Sequence, residues 1–207
     1  MRFIISYFVL SVLILSIADS QYAIEFQGGT NIANLSNPGH LAQSATWTTR
    51  LGFVGEALTT FTISNDCNLQ TGLRFIQKGT KANFDFINST VTINYVELPI
   101  YAQYQLGNFS PRLFIVAGPA FSYLTNAYMQ GTSSIYGSYS HSSIEQFQSY
   151  DISLDAGLSL RNPISEHFSV VGSAMYSNGF VKIDKVPDSN EKTRDVRIAI
   201  GFAYIFQ

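Results

Sequence analysis

The 207-residue sequence is short of charge, cysteine and long apolar runs, and each shortage removes a class of answers. Asp, Glu, Lys and Arg supply 13% of the chain, about half the share found in an ordinary soluble domain. With 12 Lys+Arg against 14 Asp+Glu the net charge is −2, and no polybasic segment is present, so nucleic acid is not expected as a partner. The same near-neutrality excludes a disordered acidic or basic tail protein. One cysteine, Cys67, permits neither an internal disulfide nor a cysteine zinc site. The histidines, His40, His141 and His167, have no metal-ligand spacing. Gly28-Gly29 and Gly52 to Gly55 fall inside predicted strands, not in a phosphate-binding loop. No metal and no cofactor is expected.

The one long apolar run is at the start. Met1 and Arg2 precede Phe3 to Ile17, and Ala18-Asp19-Ser20 follows with Gln21 next. A basic start, a short apolar core and small residues at the minus-three and minus-one sites make a secretory signal, with cleavage expected before Gln21. About 15 apolar residues fall short of the roughly 20 that a membrane helix needs. No cysteine follows the run, so lipidation is not expected. The domain reading is a signal peptide over 1–20 and a β-domain over 21–207.

Aromatic residues are plentiful, at 14%, and from residue 21 onward they take part in a period of two. In the last segment Val196, Ile198, Ile200, Phe202, Tyr204 and Phe206 share one face, and Arg197, Ala199, Gly201 and Ala203 the other. From Tyr150 to Arg161 the apolar positions Ile152, Leu154, Leu158 and Leu160 alternate with Asp151, Ser153, Asp155, Gly157 and Ser159. Read throughout, this predicts eight strands near 21–33, 47–64, 68–79, 90–106, 111–129, 145–161, 167–182 and 193–206. Three connections are short turns: Asn65 to Cys67, Gly107 to Ser110 and Asn162 to Glu166. Four are longer: Asn34 to Thr46, Thr80 to Ser89, Gln130 to Ile144 and Ile183 to Lys192. Long and short alternate strictly. The prediction is an all-β, eight-stranded antiparallel up-and-down transmembrane β-barrel, with four long loops at one end and three short turns at the other.

The membrane assignment rests on which face carries charge. A soluble barrel, such as a lipocalin-like carrier, buries its large apolar face; a membrane barrel turns that face to lipid and fills its interior with small and polar residues. Here the charges alternate with Gly, Ala and Ser, as a narrow eight-stranded interior requires. The alternation assigns Glu25, Arg50, Glu56, Arg74, Glu97, Asp151, Asp155, Arg161 and Arg197 to an interior charged network, with Arg112 near the turn end. Such a mixed set pairs internally, which buried charges require. Asp151 and Asp155, about 13 Å apart along the strand, are too distant for shared acid–base work and are read as partners of the interior arginines. Tyr22, Phe61, Tyr104, Phe168, Tyr204 and Phe206 near the turn side, and Trp47, Tyr123, Tyr150 and Phe180 nearer the loops, outline two interfacial girdles.

The closing Ala203-Tyr204-Ile205-Phe206 resembles the terminal aromatic signature of bacterial outer-membrane barrels, apart from the added Gln207. The resemblance implies that Tyr204 and Phe206 are read by the outer-membrane assembly machinery. Tyr95-Val96-Glu97-Leu98-Pro99-Ile100, Tyr104, Gly118-Pro119 and Asp155-Ala156-Gly157-Leu158 together resemble the PorT-like outer-membrane β-barrel family of Bacteroidota. That likeness implies the fold and the outer membrane, and allows an accessory role in secretion or gliding. Pro99 and Pro119 each remove a ladder donor, so bulges are predicted there. Ser140-His141-Ser142-Ser143 with Glu145 has the parts of a hydrolase, but lies in a Ser/Gly/Tyr-rich loop and reads better as solvated chain.

The functional expectation is a non-enzymatic, monomeric barrel in contact with outer-membrane lipid, its interior filled and its long loops available to a protein partner or ligand. The alternatives are the secretion or gliding accessory, an outer-membrane hydrolase, and the lipocalin-like periplasmic carrier. Membrane fractionation with gel electrophoresis separates the last: the barrel should sit in the membrane fraction and migrate differently before and after boiling in SDS. Recovery in the soluble fraction without a mobility shift would leave only the carrier.

Overall fold

The computed structural model describes residues 22–36, 46–84, 87–133, 137–185 and 190–206. The expected signal segment, its cleavage site before Gln21, and His40 lie outside the described residues. Nine strands are present among those described: β1 (Tyr22–Ser36), β2 (Thr46–Thr62), β3 (Cys67–Phe84), β4 (Ile87–Leu106), β5 (Arg112–Ser133), β6 (Gly137–Ser142), β7 (Tyr150–Pro163), β8 (Phe168–Gly179) and β9 (Lys192–Phe206). All pair antiparallel in the order β4-β3-β2-β1-β9-β8-β7-β5-β6, and a further β4–β5 pairing closes the ring. The eight staves of the barrel are β1 to β5 and β7 to β9. Chain ends meet at the seam, where β1 and β9 pair from Tyr22 opposite Phe206 to Ser36 opposite Lys192.

Side-chain size decides which way each face points. On β9 Ile198, Ile200 and Phe202 are 58%, 67% and 62% exposed, whereas Ala199, Ala203 and Arg197 between them are buried. Phe26, Leu51, Phe53 and Leu73 stand equally bare on the strands across the seam. A continuous apolar band of this extent is not tolerated in water, and a closed sheet with every backbone group paired is what hydrocarbon demands. The barrel is inverted, as the alternation required.

Two predicted connections and one strand start differ in the structure. Thr80 to Phe84 and Ile87 to Ser89 are strand, not loop: β3 and β4 keep pairing until Phe84 lies opposite Ile87. Burial still alternates there, with Thr80 and Ala82 inward, but the outer face turns polar at Lys81 and Asn83. The strand has left the hydrocarbon without ceasing to be a strand, and polarity alone looked like a loop. Likewise Gln130 to Ser133 continues β5 and pairs with β6. The sixth predicted strand begins at Tyr150 rather than 145, because Ile144–Gln146 form a short 3-10 turn. At 20 and 22 residues, β4 and β5 are about twice the 9–11 residues that span a bilayer. A tall polar wall of β3, β4, β5 and β6 therefore stands above the rim on the loop side.

The predicted bulges at Pro99 and Pro119 are absent. Pro99 lies opposite Ala120, and the next pair, Ala102 with Ala117, keeps the same register. Pairing across β3 also resumes without slippage, from Thr71 opposite Ile100 to Arg74 opposite Glu97. Each missing donor is absorbed as a short gap in one ladder, and Thr71 Oγ1 donates to the Pro99 carbonyl at 2.8 Å. The register shifts fall elsewhere, between Thr49 and Val54 on the β2–β3 ladder and between Asn94 and Tyr95 on the β4–β5 ladder.

Seam closure depends on two inward glycines. A Cβ added at Gly201 would lie 1.8 Å from the Phe26 carbonyl oxygen, and one at Gly29 would lie 2.0 Å from that of Ile198. Both would strike backbone, which cannot step aside. The adjacent Gly28 has its nearest neighbour at 4.0 Å. Gly201→Ala should therefore destabilise the folded barrel by about 1–3 kcal/mol, read as a lower urea midpoint of the gel form seen without boiling, while Gly28→Ala leaves that midpoint in place. Equal midpoints for the two variants would contradict this account of the seam.

Candidate functional site: the charged column inside the barrel

The inward positions stack into three levels. At the turn end Glu25 accepts Thr60 Oγ1 at 2.7 Å and Gln27 Nε2 at 3.4 Å, and it pairs with Arg161. Gln70 donates to Thr60 at 3.1 Å and so ties β3 into the same group.

The middle level is the densest. Arg74 reaches Glu56 through Nε at 2.9 Å, and Glu97 and Asp155 through Nη1 at 2.9 and 3.2 Å. Arg197 approaches from the opposite side, its Nη2 donating to Asp155 Oδ2 at 2.6 Å and to the Tyr101 hydroxyl at 2.8 Å. Tyr101 also accepts from Arg74 and donates to Asp155. Ser153 and Ser122 donate to Asp155 and Glu97 at 3.0 and 2.8 Å. Strands β2, β3, β4, β5, β7 and β9 are thus joined through the lumen at one height, by groups almost wholly shielded from solvent.

Above this level Lys78 Nζ lies 2.9 Å from Glu97 and 3.5 Å from Asp195. Asp151 accepts Thr193 Oγ1 at 2.7 Å and the Ile152 amide at 2.8 Å. The lining between and above these charges is apolar, with Val54 and Ile76 just above the middle level and Leu35, Ile93 and Leu124 packed with them. Phe147 and Ile183, from two apposed loop segments, pack onto the same cluster. The segments are tied by Gln148 N donating to the Ile183 carbonyl at 2.6 Å and Lys185 N to that of Gln146 at 2.9 Å.

Eight of the nine residues assigned to the interior are buried there: Glu25, Glu56, Arg74, Glu97, Asp151, Asp155, Arg161 and Arg197. Arg50 is the exception. It sits where the β2–β3 register shifts, is half-buried, and has no ion pair among the described residues. It lies opposite the buried Ala33 in the unbroken β1–β2 register, on the inward side of the sheet near its loop end. Lys78 and Asp195 escaped the reading although each shares its parity with a neighbour that was found, Arg74 and Arg197. Tyr101 escaped as well: it is 2% exposed and belongs to the network, not to a girdle.

The aromatic end of β9 packs as a patch around the seam. Tyr22 stacks on Phe206 with ring centroids 4.5 Å apart, and Tyr204 meets Phe206 and Phe168 edge-on at 4.6 and 5.0 Å. On β6 the residues Ser140, His141 and Ser142 are exposed, Ser143 is buried, and Glu145 is exposed on the 3-10 turn. The only ring contact of His141 among the described residues is with Tyr139, at 6.1 Å. No group of three or more His, Cys, Asp or Glu among the described residues is arranged to hold a metal.

The family model described as "Outer membrane protein beta-barrel domain" matches residues 17–185. The chain belongs to that family. As a member of the outer membrane β-barrel family it is a bacterial outer-membrane protein. Among the curated proteins none matches it in sequence. Solved structures share its fold: OprG from Pseudomonas aeruginosa, with TM-score 0.57, 13% identity, and coverage of 91% of this chain and 96% of that one; and a major outer membrane protein from Thermus thermophilus, with TM-score 0.54, 12% identity, and coverage of 90% and 99%.

Removing one member of a buried ion group leaves its partners charged and unpaired in a medium that solvates them poorly, which costs about 3–5 kcal/mol. Asp155→Leu strands Arg74, Arg197 and Tyr101 together and should lower the urea midpoint of the folded form markedly. Glu145→Gln on the exposed turn serves as the unperturbed reference. An Asp155→Leu midpoint equal to that reference would remove the network from the account.

Proposed function

We propose that this protein is a small, non-enzymatic, monomeric outer-membrane barrel whose lumen is filled by its own side chains. Its contacts with a protein partner or ligand are made by the polar wall of β3 to β6 outside the membrane. The observation that carries the reading is filling at two heights: the Arg74, Asp155, Arg197 and Tyr101 group spans the lumen, and Phe147 and Ile183 pack onto the apolar cluster on its loop side. Eight staves enclose an interior just wide enough to be filled by side chains, and here the filling is ionic and hydrogen-bonded.

Export through a signal segment cleaved before Gln21 and reading of Tyr204 and Phe206 by the assembly machinery complete the proposal. The exposure of Ser140 and His141 on β6, with Glu145 on the following turn, favours a solvated surface over a hydrolytic triad. The PorT-like resemblance supports a narrower reading, an accessory of secretion or gliding in Bacteroidota. Its motif residues Glu97 and Asp155 stand in the ionic group, and Pro99 and Pro119 on the strands beside it.

Purified folded protein in planar bilayers should give no large, stable conductance steps. Such steps from the wild-type chain would overturn the filled lumen and make the protein a pore.

A further inference from the structure

At the turn end of the lumen, Arg112 on β5 and Arg161 on β7 are directly opposite each other. Like charges in such a cross-strand pair repel and destabilise the ladder. Among the described residues one carboxylate is bonded there, Glu25, and its bonds are taken: Oε1 by Arg161 and Thr60, Oε2 by Gln27. Arg161 is held rigidly, its guanidinium 5.4 Å above the Phe114 ring. It is 8% exposed, and its buried Nε has no hydrogen-bond partner. Arg112 is exposed and makes neither an ion pair nor a hydrogen bond among the described residues. Asp66 and Glu166 on the neighbouring turns are exposed and line neither cavity described below, so Arg112 has no carboxylate partner there.

The space beside them is a cavity of about 220 Å³ lined by both arginines and by Thr62, Asn65, Asn68 and Gln105. A second cavity, of about 370 Å³, adjoins it through Asn65, Gln105 and Arg112 and opens past Phe109 and Pro163. Neither is lined by an acidic side chain. Amide and hydroxyl groups around such a guanidinium form a receptor for a planar anion, because the arginine fork matches two carboxylate oxygens. A repulsive pair retained in an otherwise consistent ladder is the kind of local cost found at binding sites.

We propose that this mouth is a binding site for one small carboxylate, held by Arg112 with Arg161 behind it and the side-chain amides of Asn65, Asn68 and Gln105 around it. The short turns of outer-membrane barrels face the periplasm, so the ligand is a free organic acid or the carboxyl terminus of a peptide in that compartment. Neutralising Arg112 also relieves the repulsion between the two arginines, so occupancy stabilises the β5–β7 ladder.

The test uses the folded full chain in detergent micelles, with backbone amide NMR shifts followed during titration with acetate, with N-acetyl-dialanine, and with N-acetyl-dialanine amide. The acids should give saturable shifts at Asn65, Gln105 and Arg112, and the amide none. Acetate binding as tightly as the peptide acid identifies a free organic acid; tighter binding of the peptide acid identifies a peptide terminus. Arg112→Gln removes no internal contact and keeps the folded gel mobility, and it should weaken acid binding at least tenfold. The absence of saturable shifts with either acid, equal shifts with the amide, or unchanged affinity in Arg112→Gln would each overturn the site.

Discussion

The Asp155 carboxylate, held between Arg74 and Arg197 with the Tyr101 hydroxyl against it, is the interaction on which the rest of this barrel depends. Four strands, β3, β4, β7 and β9, supply those groups, and none is adjacent to all the others in the ring. An eight-stranded lumen must be filled, and filling it with apolar side chains while the outside is also apolar would leave nothing to fix facing or register. An ionic group does both, since a slip of one residue in any of the four strands would carry a charge to the lipid face. The cost of desolvating Asp155 is met by several partners at once, the carboxylate accepting from two arginines, Tyr101 and Ser153.

This requirement explains the low charge of the chain. The lipid face carries almost no charge, and the barrel wall buries Glu25, Glu56, Glu97, Asp151, Asp155 and Asp195 with Arg74, Lys78, Arg161 and Arg197. Much of the set pairs internally, and on the turn side the Arg112–Arg161 rung borders cavities that no acidic side chain lines. The seam glycines belong to the same economy of space: at Gly29 and Gly201 the β1 and β9 backbones approach too closely for any side chain.

Period-two alternation made strand faces legible from residues alone, because size and polarity separate cleanly wherever a strand crosses lipid. Ile198, Ile200 and Phe202 outward against Arg197, Ala199 and Gly201 inward is the clearest instance. The same rule failed where the outside changes from lipid to water. Lys81 and Asn83 face outward on a strand that continues, and their polarity looked like a loop. Pro99 and Pro119 misled in another way, since each is accommodated by a gap rather than a bulge. Tyr101 shares the inward parity of Glu97; its part in the ionic group was illegible because Arg74, Asp155 and Arg197 reach it from other strands. The packing of Phe147 and Ile183 onto the apolar cluster depends on two segments distant in sequence, and neither carries a periodic signal.

The central claim is that the lumen is filled and dry at the height of Asp155. Arg74 Nε–H, bonded to Glu56 at 2.9 Å, is the internal reporter. Proton NMR of the folded barrel in micelles should show this proton as a separate resonance exchanging slowly with water. A guanidinium signal averaged with solvent at the same pH would mean a water-filled lumen and would contradict the account.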